Sequence, residues 1–140
     1  FGIFQMQFID IWHKRRIEIV NFYNEKLQSI KGIILPGLDR FHSNAWHLYI
    51  IKLIENKWTI NRNDFIEKLN AKGIGTSVHY IPIHMHTYYK NRYNLKDLDY
   101  KNSIEHFKSV VSIPLYPALI NNQLDYIVEN INILWNKYQK

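Results

Sequence analysis

No cysteine occurs anywhere in the chain, which excludes disulfides, thiolate metal sites and thiol nucleophiles together. The absence fits a reducing compartment, and the cytoplasm is the expected location. Glycine is scarce too: none of the five sits in a Walker A loop or a Gly-x-Gly-x-x-Gly turn, so no phosphate cradle is self-contained here. A Gly-x-Ser-x-Gly elbow and a His-Glu-x-x-His helix are both missing, which removes the commonest hydrolase and zinc-protease signatures. No apolar run approaches the roughly 18–20 residues needed to cross a bilayer, so no membrane partner is expected. The first residues lack the charged, apolar and small-residue succession of a secretory signal.

What is present is a chain of 140 residues, 46% hydrophobic and 15% aromatic, enough for one core and too apolar for a disordered segment. The net charge of +6 raises the question of nucleic acid. Composition answers it: 22 Ile, 15 Asn and 13 Lys suggest an AT-rich genome, in which lysine accumulates on surfaces without functional demand. The basic cluster His13-Lys14-Arg15-Arg16 falls inside a helical pattern and reads as a solvated face. No Gly-flanked aromatic motif of the base-stacking kind occurs, and no nucleic-acid partner is expected.

Apolar residues at Ile9, Trp12, Val20, Tyr23 and Leu27 predict one long amphipathic helix over about residues 2–28. Pro36-Gly37 marks a turn. Residues 45–54, AWHLYIIKLI, predict a buried strand ended by Asn56-Lys57. Asn61 with Asp64 predicts a capped helix whose apolar face is Phe65, Ile66 and Leu69 and whose stop is Gly73. A short strand is expected over Thr76–Tyr80, closed by Pro82. An aromatic loop, a short helix over Ser103–Lys108 and a β-like run over Val110–Ile113 follow. The last helix is capped by Asn121 or Asn122 and striped by Leu124, Ile127, Val128, Ile131, Leu134 and Trp135. This order predicts a small α/β domain, an α+β sandwich of helices on about three strands. The division expected is a long interdomain helix at 1–28 and a domain at 29–140. The chain opens Phe1-Gly2-Ile3 directly in a helical pattern and reads as a piece of something longer.

Residues 73–90, GIGTSVHYIPIHMHTYYK, concentrate the candidate chemistry. His79, His84 and His86 offer imidazoles, but no carboxylate or thiolate lies between them, and no metal is expected. A histidine could move protons near neutral pH, yet the nearby Ser77 is expected on the opposite face of a strand from His79. A loop that reads a ligand fits better. Pro82 stiffens it, and His79, Tyr80, His84 and Tyr88 present polar tips on flat apolar bodies. The competing view makes the tyrosines core aromatics and the histidines satisfied surface groups.

Several stretches carry a resemblance. GIFQMQFIDIWHKRRIEIVNFYNEKL, SNAWHLYIIKL at 43–53, NRNDFIEKLNAKGIGTSVHYIPIH and VVSIPLYPALINNQLDYIVENI occur in the order and spacing of the C-terminal segment of the DegT/DnrJ/StrS family of pyridoxal-phosphate-dependent sugar-nucleotide aminotransferases, which the chain resembles almost end to end. The resemblance implies the small C-terminal α/β domain of the aspartate-aminotransferase fold (fold type I). It implies amino transfer from glutamate to a UDP- or dTDP-linked keto-sugar in surface-polysaccharide or amino-sugar biosynthesis. It also implies a homodimeric complete enzyme that uses pyridoxal 5′-phosphate. The Schiff-base lysine lies upstream in the family, in the N-terminal large domain, so no covalent cofactor and no catalytic residue is expected in this chain. By motif match, His79, Tyr80 and His84 are the substrate-binding residues. The string His79-Tyr80-Ile81-Pro82-Ile83-His84 is most similar to members acting on UDP-linked 4-keto-6-deoxy amino sugars, including the pseudaminic-acid type. His86 and Tyr89 are left without a role. The rival expectation is a non-catalytic binding or interaction remnant of a truncated or split gene.

Overall fold

The computed structural model describes residues 2–37 and 44–140; Ser43, the first residue of the 43–53 stretch, lies outside them. Three antiparallel strands, β1 (Ile33–Ile34), β2 (Tyr49–Leu53) and β3 (Val110–Ile113), form a sheet in that order. Ile33 pairs with Leu53, and Tyr49 pairs with Ile113. Among the described residues six α-helices accompany the sheet: α1 (Gly2–Met6), α2 (Ile9–Leu27), α3 (Arg62–Asn70), α4 (Thr87–Tyr93), α5 (Lys101–Ser109) and α6 (Asn121–Tyr138). The expected α/β arrangement of helices on three strands is therefore present. Among the described residues no helix is long and apolar enough to cross a membrane.

The core forms where α2, α3 and α6 press one face of the sheet. From α2 come Ile19, Val20, Tyr23 and Leu27, from β2 Tyr49 and Ile51, and from α6 Leu124, Ile127 and Ile131. Two tyrosines are buried at its centre, 5.0 Å apart between ring centroids. Each keeps a partner, as a buried hydroxyl must: Tyr23 donates to the Pro114 carbonyl at 2.9 Å and Tyr49 to Asn24 Oδ1 at 2.6 Å. At the far end Trp58 donates to the Gly32 carbonyl at 2.7 Å and meets Phe65 and Trp135 edge-on. A methyl group added at Gly32 would run into the Trp135 ring and lie 2.7 Å from Trp58 Nε1. Glycine is required there for space.

Helix α3 follows its sequence signals. Asn61 Oδ1 accepts from the Asn63 and Asp64 backbone, Asp64 returns a bond to the Asn61 N–H, and Gly73 takes φ +73 after the helix. Other expectations shift. The helix over 2–28 is interrupted at Gln7-Phe8; α1 buries no residue and meets the start of α2 through the Phe4–Phe8 ring contact, with centroids 5.2 Å apart. The strand expected at 45–54 shortens to Tyr49–Leu53. Trp46 has φ +49, with its N–H bonded to Asn44 Oδ1 at 2.7 Å, which takes residues 45–48 out of the ladder. Thr76–Tyr80 makes only a bridge, between Ser77 and Ser112. The aromatic loop contains α4, unforeseen because TYYKNRY buries nothing and so shows no apolar period. The short helix over Ser103–Lys108 extends to Lys101–Ser109. At the start of α6 the cap position belongs to Ile120, not to an asparagine: Gln123 Oε1 accepts the Ile120 N–H at 3.2 Å, the returning half of a capping box.

Two predictions follow from this packing. Gly32→Ala should lower unfolding stability by about 1–3 kcal/mol through overpacking, measured by denaturant titration; an unchanged midpoint would show that the Trp135 ring has room to move. Burial pushes the phenols of Tyr23 and Tyr49 above their ordinary value of 10.0. Their neutral forms are held in the fold while the unfolded chain ionises, so stability is intact below about pH 10 and falls as pH rises beyond it. Tyr23→Phe should flatten that alkaline decline, read as the denaturant midpoint between about pH 9 and 11.

Candidate functional site

Gly73 ends α3 and releases an extended segment that runs beside β3. The Ser77 N–H donates to the Ser112 carbonyl at 3.2 Å, and the Ser112 N–H returns a bond to Ser77 at 2.8 Å. Paired residues of an antiparallel ladder point to the same side, and so does the residue two positions on. His79 therefore stands with Ser77 and Ser112, its Nδ1 lying 2.8 Å from Ser112 Oγ and 3.4 Å from Ser77 Oγ. This corrects the expectation that Ser77 and His79 point apart: strand alternation has a period of two, so i and i+2 share a face.

Tyr80 follows across a cis peptide bond and is 72% exposed. Its ring meets that of His79 edge-on, with centroids 4.7 Å apart. His84 sits differently. It lies in a tight turn over Ile83–Met85, only 4% exposed, stacked on Tyr100 with centroids 4.4 Å apart and planes 11° from parallel. Its Nε2 is buried without a hydrogen-bond partner among the described residues. Of the three residues named from sequence, the fold brings His79 and Tyr80 into contact and turns His84 inward beneath Tyr100.

Of the remaining residues, Tyr88 is exposed, and His86 and Tyr89 make local contacts. His86 Nε2–H donates to the Ile81 carbonyl at 3.3 Å, closing the loop on itself. Tyr89 stacks on Tyr93 one helical turn on, at 6.4 Å and 11°. Two residues went unforeseen: Tyr100, which covers His84, and Ser112, which touches His79. Ser112 carried a faint signal, as the one hydroxyl in the apolar run VVSI and only 5% exposed. Tyr100 carried none, being far away in sequence.

Chemically, the site offers an imidazole anchored at Nδ1, with no hydrogen bond to its Nε2 among the described residues, beside an exposed phenol. A ring N–H and a phenol O–H are both groups able to donate to oxygen. Among the described residues no group of three or more His, Asp or Glu could hold a metal ion. No lysine is buried among them; the buried polar residues are His84, Ser112 and Asn130.

Known proteins give this geometry its context. A family model described as the DegT/DnrJ/EryC1/StrS aminotransferase family matches residues 1–132. The chain belongs to this family. The spore coat polysaccharide biosynthesis protein SpsC of Bacillus subtilis (strain 168) is 36% identical over 131 residues, which cover 93% of this chain and 34% of SpsC. The proposed sugar aminotransferase Spr1654 from Streptococcus pneumoniae is 26% identical, with a TM-score of 0.86 over 97% of this chain and 34% of its own. Spr1654 has also been solved in PMP and PLP forms. PseC of Helicobacter pylori, an aminotransferase of pseudaminic-acid biosynthesis, shares the fold at a TM-score of 0.83 and 20% identity. The chain thus spans about a third of the length of its relatives, and the match makes it the fold-type-I segment that the sequence resemblance implied.

The unpartnered Nε2 of His84 yields a test. His84→Phe keeps the stack on Tyr100 and removes the orphaned nitrogen, so stability should stay equal or rise. His84→Ala should lose about 2–3 kcal/mol to the cavity. Denaturant titration separates them, and equal losses in both would mean that the nitrogen itself carries stability.

Proposed function

We propose that these residues form the C-terminal part of an aminotransferase that moves an amino group from glutamate to a UDP- or dTDP-linked keto-sugar. The product would be an amino sugar for surface polysaccharide, made in the cytoplasm by a homodimer. The observation that carries this reading is the His79–Tyr80 pair on a family-matched loop: an imidazole tied at Nδ1, its Nε2 untied among the described residues, beside a phenol at the surface. The Nε2 of His79 binds an oxygen of the nucleotide sugar, and Tyr80 lays its ring and hydroxyl along the sugar. His84 contributes the loop's shape, because Tyr100 covers it.

Pyridoxal phosphate, when bound, supplies the electron sink that amino transfer requires. The residues present do not fit the whole group. A Schiff-base lysine is tuned by desolvation or cationic neighbours, and no lysine here is buried among the described residues. In line with the family resemblance, the cofactor is assigned to the large domain of the complete enzyme, and this chain addresses the substrate. The exposed apolar residues Ile3, Phe4, Met6, Ile9 and Ile11 of α1 and α2 support that arrangement, since they present a surface for such a domain to cover.

The test is steady-state kinetics of the full-length polypeptide carrying this segment, with pyridoxal phosphate, glutamate and a UDP- or dTDP-4-keto-6-deoxy sugar. His79→Ala should raise KM for the sugar nucleotide roughly ten- to hundredfold, the worth of one hydrogen bond to a charged group. An unchanged KM would remove His79 from the substrate. The 140-residue segment alone, mixed with pyridoxal phosphate and borohydride, should give no adduct at a single lysine. A single trapped lysine with turnover would overturn the division of labour.

A further inference from the structure

We propose that Ser112 is the positioning residue of this site: its hydroxyl donates to His79 Nδ1, fixes the ring, and keeps the proton on Nε2 where a ligand oxygen meets it. The inference rests on the substrate-binding reading of His79.

Three observations converge on it. Ser112 is 5% exposed in a strand whose other members, Val110, Val111 and Ile113, are all buried apolar residues. Its Oγ lies 2.8 Å from His79 Nδ1, and among the described residues that nitrogen is its partner. The backbone pairing of Ser77 with Ser112 sets this distance, since two hydrogen bonds hold the segment bearing His79 against β3.

The direction of the bond follows from what burial allows. A buried hydroxyl proton left without an acceptor is costly. If Nδ1 carried the proton and donated, the Ser112 O–H would have no acceptor among the described residues. When Ser112 donates, its own proton is satisfied and the neutral ring holds its proton on Nε2. The other nitrogen thereby becomes a donor suited to phosphate or sugar oxygens, the same logic by which a neighbouring hydrogen bond sets a histidine's working tautomer elsewhere. Ser77 Oγ, at 3.4 Å, lies at the edge of hydrogen-bond range and is a weaker partner.

The experiment uses the full-length polypeptide with its histidines labelled with nitrogen-15, the His79 signals being assigned by their loss in His79→Ala. The wild type should show the Nε2–H tautomer at His79 near pH 8. Ser112→Ala should mix the two tautomers and raise KM for the sugar nucleotide about three- to tenfold, with a smaller change in kcat. Ser112→Thr, which keeps the hydroxyl, should restore both readouts, and Ser77→Ala should leave both close to wild type. Unchanged His79 signals in a folded Ser112→Ala protein would overturn the inference, and so would an Nδ1–H tautomer in the wild type. A tautomer change in Ser112→Ala, in a protein whose KM ignores His79→Ala, would support the positioning role and overturn the substrate reading instead.

Discussion

Two backbone hydrogen bonds, from the Ser77 N–H to Ser112 and from the Ser112 N–H to Ser77, fasten the segment after α3 onto the edge of β3. The His79–Tyr80 pair is arranged from that point. The pairing puts Ser77, His79 and Ser112 on one side of the sheet, and it delivers Tyr80 to the surface next to His79. β3 can serve as the anchor because it is itself paired with β2 along its full length and buried throughout. A loop attached to such a strand inherits its rigidity, which is what a site needs if one imidazole is to meet a ligand in a defined orientation.

The rest of the fold protects that anchor. Helices α2, α3 and α6 cover the opposite face, where Tyr23 and Tyr49 satisfy their hydroxyls and Trp58 ties Gly32 to α3 and α6. The core therefore packs on one side of the sheet while the other carries the polar residues. That separation explains how a strand such as VVSI holds Ser112 without loss: its hydroxyl has a partner within reach across the bridge.

The loop beyond Pro82 shows how aromatic residues divide between structure and ligand. His84 and Tyr100 stack inward, His86 closes the loop on the Ile81 carbonyl, and Tyr89 packs on Tyr93. These residues look alike in sequence to His79 and Tyr80. What separates them is position: His79 and Tyr80 follow the Ser77–Ser112 bridge, whereas His84 lies in the turn over Ile83–Met85 and is buried against Tyr100.

The sequence by itself determined the elements with strong local signals. Asn61 and Asp64 cap α3, Gly73 ends it, and the apolar stripe from Leu124 to Ile131 fixes the buried face of α6, because capping and helical periodicity act over three or four residues. It also carried the family, through motifs whose order and spacing survive without any fold. Tertiary structure alone decided the pairing of β1, the burial of His84 and the partnership of Ser112 with His79. Each of these depends on residues far apart in the chain, such as Ser77 with Ser112 or His84 with Tyr100. Periodicity records which face a residue takes, but which residue it meets there is set only when two distant segments pack.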